Sequence, residues 1–222
     1  AGAAFGLVAG ATTFGFELSG ASLALALGPL ANASADEVLV RYTDGSTTVA
    51  AGTTLTVGAV SYTFAEAIAP GTAAFVAEGF GAKIDGFVTL AGDLAFARVG
   101  DELVAVGSGV SATLAVTDSV SAEADGADFG LVAGATTFGF ELSGASLALA
   151  LGPLANATAD EVLVRYTDGS TTVAAGTTLT VGAVSYTFAE AIAPGTAAFV
   201  AEGFGAEIDD FVTLAGDLAF AR

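Results

Sequence analysis

The side chains of this sequence that could bind or transform another molecule are carboxylates and hydroxyls, and little else. Aspartate and glutamate number 24 against 5 lysines and arginines, and histidine and cysteine are absent. No imidazole base, thiolate nucleophile, disulfide, haem ligand or zinc site of the usual kind can therefore be assembled. Lys83 is the one lysine, and Glu207 stands at the corresponding place in a second copy of the surrounding segment. A carboxylate pair could serve as the acid and base of a glycosidase. No pair is singled out by spacing, however, and Asp36-Glu37 reads as the start of a strand. The chain is expected to be non-catalytic.

Calcium is the better chemical candidate, because it takes hard oxygen ligands presented at turns. Asp118, Glu123, Asp125 and Asp128 lie close together in the sequence and form the candidate metal set. Neither an EF-hand loop nor the glycine-rich calcium nonapeptide is present. The plainer reading of the same residues, acidic loops kept soluble by charge, is favoured. Thr47, Thr48, Thr53, Thr54 and Thr56 could offer a hydroxyl face to ice or sugar, but threonine is also an ordinary strand residue. Asn32-Ala33-Ser34 and Asn156-Ala157-Thr158 match the glycosylation triplet, and a polar loop accounts for them as well.

These residues are carried by a duplication. Phe5 to Arg98 returns as Phe129 to Arg222, displaced by 124 positions with three differences: Ser34/Thr158, Lys83/Glu207 and Gly86/Asp210. The sequence reads as the end of a preceding repeat (1–4), a whole unit (5–128, with connecting strands in 99–128) and a second unit (129–222), a piece of a longer array. Arrays bury their faces against neighbouring units.

Within a unit, large apolar residues fall at every second position, the period of a strand. Phe14, Phe16 and Leu18, then Leu23, Leu25 and Leu27, predict two strands turned at Ser19-Gly20-Ala21, with Pro29 ending the run. Asp44-Gly45 predicts a hairpin placing Val40 opposite Val49 and Tyr42 opposite Thr47. Gly58-Ala59 predicts a second, with Val57 opposite Val60, Leu55 opposite Tyr62 and Thr56 opposite Ser61. Phe64 to Phe80 reads as strand or loop with room for a helical turn at Thr72 to Glu78. Phe87 to Ala91, Leu94 to Phe96, and Leu103 to Val106 after a Gly100-Asp101 turn, read as strands, as do Leu114 and Val116. A loose echo aligns Ala9-Gly10 through Leu23 with Ala91-Gly92 through Leu103, suggesting units built from related hairpins. The expected fold is all-β: tandem antiparallel β-hairpin repeats forming an elongated β-sandwich or solenoid-like stack, with alternating Phe, Leu and Val in its core.

A net charge of −19 opposes approach to nucleic acid or an anionic bilayer. No stretch reads as a membrane helix, and four tyrosines without tryptophan do not make the aromatic girdles of a membrane barrel. The expected partners are neighbouring repeats or identical chains, joined through strand edges in a self-assembling array.

Phe87-Val-Thr-Leu-Ala-Gly-Asp-Leu-Ala-Phe, Gly100-Asp-Glu-Leu-Val-Ala-Val-Gly-Ser-Gly-Val-Ser-Ala-Thr-Leu114 and the Asp36-Glu-Val-Leu-Val-Arg-Tyr segment resemble repeat units of giant secreted bacterial surface proteins, including RTX-adhesin-like chains. The resemblance implies an extracellular or cell-surface role as extender, adhesin or matrix element. It brings no site residue with it. The alternative function is a ligand-binding module for calcium, glycan or ice within a secreted repeat protein.

Overall fold

In the computed structural model, residues 2–26, 28, 31–84, 87–117, 119–209 and 211–222 are described. Leu27, Pro29, Asp118 and the Gly86/Asp210 pair lie outside them. The alternation of large and small side chains is realised as strands throughout, and no helix occurs among the described residues. In chain order the first unit supplies β1 (Ala4–Ala9), β2 (Phe14–Ala26), β3 (Ala31–Thr43), β4 (Thr54–Val57), β5 (Val60–Thr63), β6 (Thr72–Ile84), β7 (Val88–Val99) and β8 (Glu102–Thr117). There follow β9 (Val120–Ala133), β10 (Phe138–Leu151), β11 (Ala155–Thr167), β12 (Thr178–Val181), β13 (Val184–Thr187), β14 (Ala197–Ile208) and β15 (Val212–Ala221).

Eleven of these strands form one open antiparallel sheet in the order β1-β2-β3-β6-β7-β8-β9-β10-β11-β14-β15. The all-β, antiparallel class expected from the sequence is what forms. The change of unit between Asp128 and Phe129 falls inside β9, so a single strand crosses it and the sheet continues without a seam. The partial second layer is supplied by two short hairpins, β4-β5 and β12-β13, each on an excursion between neighbouring long strands. The hairpin at Gly58-Ala59 has the expected register, Val57 opposite Val60 and Leu55 opposite Tyr62.

Two expected turns are corrected, and the strand reading of the segment after them holds. Ser19-Gly20-Ala21 is not a turn: β2 runs straight through it, and the phase change is a β-bulge in which Gly20 adopts φ 63°. A residue without Cβ admits the left-handed conformation that the extra residue of a bulge needs. Asp44-Gly45 does not close a hairpin. Val40 lies between Leu18 and Phe75, Tyr42 between Phe16 and Ala73, and Val49 bridges to Ile68. The Asp44 carboxylate instead accepts the backbone N–H groups of Phe14 (2.6 Å), Ser46 (2.9 Å) and Thr47 (2.8 Å), so it ties the start of a long excursion to β2. Thr72 to Glu78 is strand, because β3 and β7 pair with β6 on its two sides and override the helical preference of its alanines. The Gly100-Asp101 turn is present, with Val99 opposite Glu102. The echo aligning Gly10 with Gly92 matches a turn to the middle of β7 and is not a structural repeat.

The two faces of the sheet differ. Under the hairpins, Val76, Ala95, Ala97 and Val106 pack with Val173, Val181, Val184, Tyr186, Phe188 and Ile192. On the other face several residues of the kinds expected in the core are exposed, Phe5, Leu7, Phe14, Phe75 and Phe96, and Tyr42 is exposed beside them. The core is divided: one cluster lies under the second hairpin, a smaller one of Val49, Phe64 and Ile68 under the first, and two more, around Ala35, Val38 and Ala77 and around Ala127, Ala145, Ala159, Val162 and Ala201, form among the long strands themselves.

Candidate assembly interface

Each excursion leaves the sheet after a threonine and returns to it at another. Thr43 Oγ1 donates to Ala69 O (2.5 Å) and accepts the N–H of Thr72 (3.1 Å), while Gly71 N–H donates to Asp44 O (2.8 Å), so the neck is closed. The same bonds recur at Thr167, Ala193, Thr196, Gly195 and Asp168. The excursion is therefore a flap hinged on a fixed neck, with its hairpin at the tip.

A buried ionic group fixes the flap's lean over the sheet. Glu17, 2% exposed, accepts from Arg41 Nε (2.5 Å) and from the Tyr62 hydroxyl (2.6 Å), and Arg41 Nη1 also donates to Glu66 (2.5 Å). Glu17 is on β2, Arg41 on β3, and Tyr62 and Glu66 on the flap, so the cluster couples sheet to flap. Glu141, Arg165, Tyr186 and Glu190 repeat it. A charge taken out of water needs such pairing. Burial works against the charged state of Arg41, but the hydrogen bonds and charges of Glu17 and Glu66 outweigh it and hold the guanidinium above its ordinary value. Burial of the Tyr186 phenol, beside the Glu141 carboxylate, pushes it well above the usual tyrosine range. The tyrosine ring needs a strand residue without a side chain beneath it: a Cβ on Gly130 would stand 2.5 Å from Tyr186 Cδ1.

The two flaps are alike in sequence but not in surroundings. The second flap leans over the strands that precede its own unit, chiefly β8, and its tip valines Val181 and Val184 are each 4% exposed. They meet Val76, Ala95 and Val106, with Leu39 and Val104 beside them. A Cβ on Gly182 would stand 2.7 Å from Val76 Cγ2. At the first flap Val57 is 82% exposed and Val60 75%, and among the described residues nothing lies within 4 Å of a Cβ on Gly58. Between this flap and β1 a groove of 760 Å³ is lined by Phe5, Gly6, Leu7, Leu55, Val57 and Tyr62, among others. At the far end of the molecule the receiving residues lose their cover: Val200 and Ala219, which correspond to Val76 and Ala95, are half-buried and exposed.

The candidate metal ligands are spread along a strand. Asp118 lies outside the described residues, while Glu123, Asp125 and Asp128 are on β9. Asp128 Oδ1 accepts the N–H of the bulge glycine Gly109 (2.8 Å), and Asp125 accepts from the Ser111 hydroxyl. No group of three or more candidate ligands able to hold a metal occurs among the described residues. Asp93 and Asp217 make the same kind of bond, to Gly79 N–H (2.7 Å) and Gly203 N–H (2.9 Å). Asn32 and Asn156 are exposed on β3 and β11, in strands and not in loops. The threonines do not share one face: Thr47 is buried and accepts the Phe14 N–H (3.0 Å), whereas Thr54 is exposed and pairs with Thr63 on the hairpin.

The buried Glu17-Arg41-Tyr62 group was not foreseen. A hint lay in the sequence: Arg41 and Arg165 each stand directly between a Val-Leu-Val run and a tyrosine, a basic residue in an apolar stretch of strand. Comparison with protein-family models, with curated proteins and with solved structures finds no match for the chain.

Proposed function

We propose that this chain is a structural, non-catalytic repeat module, an extender or building block of an adhesin, filament or matrix outside a bacterial cell. The observation that carries the reading is the shared sheet. A strand crosses the change of unit, and the flap of the second unit is seated on strands of the first. Adjacent units of this kind cannot swing as beads on a string, which suits a part that must hold distance. The acidic, thiol-free composition fits an extracellular setting.

The sheet advances six strands from β2 to its counterpart β10. At about 4.8 Å per strand, each added unit lengthens the particle by about 29 Å. Small-angle scattering on chains carrying two, three and four units tests this. A constant increment of that size supports the module as a spacer, and a maximum dimension growing as for a flexible string of globules would refute it.

A further inference from the structure

We propose that the open face of the sheet, opposite the flaps, is where a second copy of this chain docks, face to face about a twofold axis. This deepens the spacer reading and rests on it, since it names what lies along the length of such a spacer. The open face is apolar across the whole sheet. On β6 it carries Phe75, Ala77 and Ala82, and on β7 Leu90, Leu94 and Phe96, by register and alternation. Among the described residues with a ladder partner, Arg98 at a strand end is the one charged side chain on that face. Glu37, Glu78, Asp93, Glu123 and Asp125 project to the flap side. The pattern holds in β7, β8 and β9, which are paired along both edges, so it belongs to the repeat and not to a rim of the sheet.

Area and relief point to a second copy. Large side chains on this face range from Leu147 at 37% exposed to Phe220 at 65%. About twenty of them, each offering roughly 75 Å² on the scale of about 150–250 Å² for a whole aromatic side chain, make an apolar surface of roughly 1,500 Å². A monomer's largest apolar patch is about 300–600 Å², and a stable interface takes about 800 Å² from each partner. On one side of the row of bulges the face is also corrugated. Leucines form ridges on every third strand of the sheet: Leu23 and Leu25 on β2, Leu90 on β7, Leu149 on β10 and Leu214 on β15. The two strands between successive ridges carry alanine, as at Ala33 and Ala82, Ala112 and Ala124, and Ala157 and Ala206, with Leu114 the exception. Ridges are thus about 14 Å apart. One groove is a cavity of 260 Å³ lined by Leu147, Leu149, Ala157, Ala159, Phe204 and Leu218, among others. A second sheet offset by half the ridge spacing seats its leucines over these alanines, and the twofold makes the fit mutual. Lipid hydrocarbon would cover a smooth apolar face equally well, so the relief favours a sheet of the same kind. Both strand edges stay clear, so face pairing does not compete with continuation of the array.

Light scattering on the whole chain over a range of concentrations should give twice the chain mass. Added salt should tighten the pairing, because the acidic sides of the two copies face outward and repel each other. The L25D/L149D chain, altered at exposed ridge positions, should pair about a hundredfold more weakly, since each carboxylate would be buried against an apolar partner. The A33F/A157F chain keeps the face apolar but fills two grooves, and should pair about tenfold more weakly through overpacking. It decides the question if the aspartate chain fails to fold. A parent that stays monomeric, particles that grow past two copies without a stop, pairing unchanged in A33F/A157F, or a monomer that floats with phosphatidylcholine vesicles would each overturn the proposal. The scattering increment of longer arrays runs along the sheet and is the same for one layer or two. A failure here that leaves that increment intact removes the partner and not the spacer.

Discussion

Shortening Val181 and Val184 to alanine should cost far more than the same change at Val57 and Val60, although the residues around each pair in the sequence are identical. Each substitution removes two methyl groups, worth about 0.8 kcal/mol apiece when buried. Val181 and Val184 are each 4% exposed, so the V181A/V184A chain should lose about 3 kcal/mol, before any contribution from the cavity left behind. Val57 is 82% exposed and Val60 75%, and the same arithmetic leaves roughly 0.7 kcal/mol for V57A/V60A. For a chain of this size about 1 kcal/mol corresponds to about 2–4 °C, so calorimetry should show a fall of about 6–12 °C against about 2 °C. The comparison is internally controlled, because strand propensity and turn chemistry are the same in both hairpins. Equal shifts in the two variants would refute the seating of the second flap on the first unit.

Other consequences concern the neck and the ionic group. Replacing Arg165 by methionine strands the Glu141 carboxylate, 1% exposed, and should cost about 3–5 kcal/mol by chemical denaturation, while R165M/E141Q recovers part of the loss. Asp168 is held down to about 2 from 3.8, first by the Ser170 N–H and against a smaller effect of desolvation, and Asp44 likewise is held at about 2. A carboxyl depressed on folding stabilises above its unfolded value. The contribution is therefore present above about pH 3.8 and lost as the pH falls to about 2. D168N should melt below the parent at neutral pH, and the gap should narrow across that window in thermal scans.

Strand content was legible because the period of two survives along nearly the whole unit, and the Gly58-Ala59 hairpin was legible down to its register because every cross-strand pair matched in kind. Bulges were read as turns for a physical reason. A positive-φ glycine that shifts the phase by one residue, as Gly20 does, looks in sequence like the corner of a hairpin. Asp44-Gly45 misled because the Asp44 carboxylate captures backbone donors from its own loop and from β2, an interaction with a residue thirty positions away that no local pattern records. Alternation assigns residues to two faces but does not say which is covered. Phe75 and Phe96 were expected inside for their size and lie on the open face, while the smaller Val76 and Ala95 take the flap. The acidic run after β8 was visible as a cluster in sequence, and the strand spreads Glu123, Asp125 and Asp128 along its length. What unites the site, a hairpin folded back over strands belonging to the preceding unit, is a contact across the whole repeat.

The continuity of the sheet across the change of unit is tested most directly by amide hydrogen exchange along β8 and β9. Leu103 to Val106 and Gly130 to Ala133 pair with each other and also with β7 and β10, so their amides should exchange as slowly as those of β6 and β11. Fast exchange over 102–133, with slow exchange on either side, would mean two separate bodies on a tether.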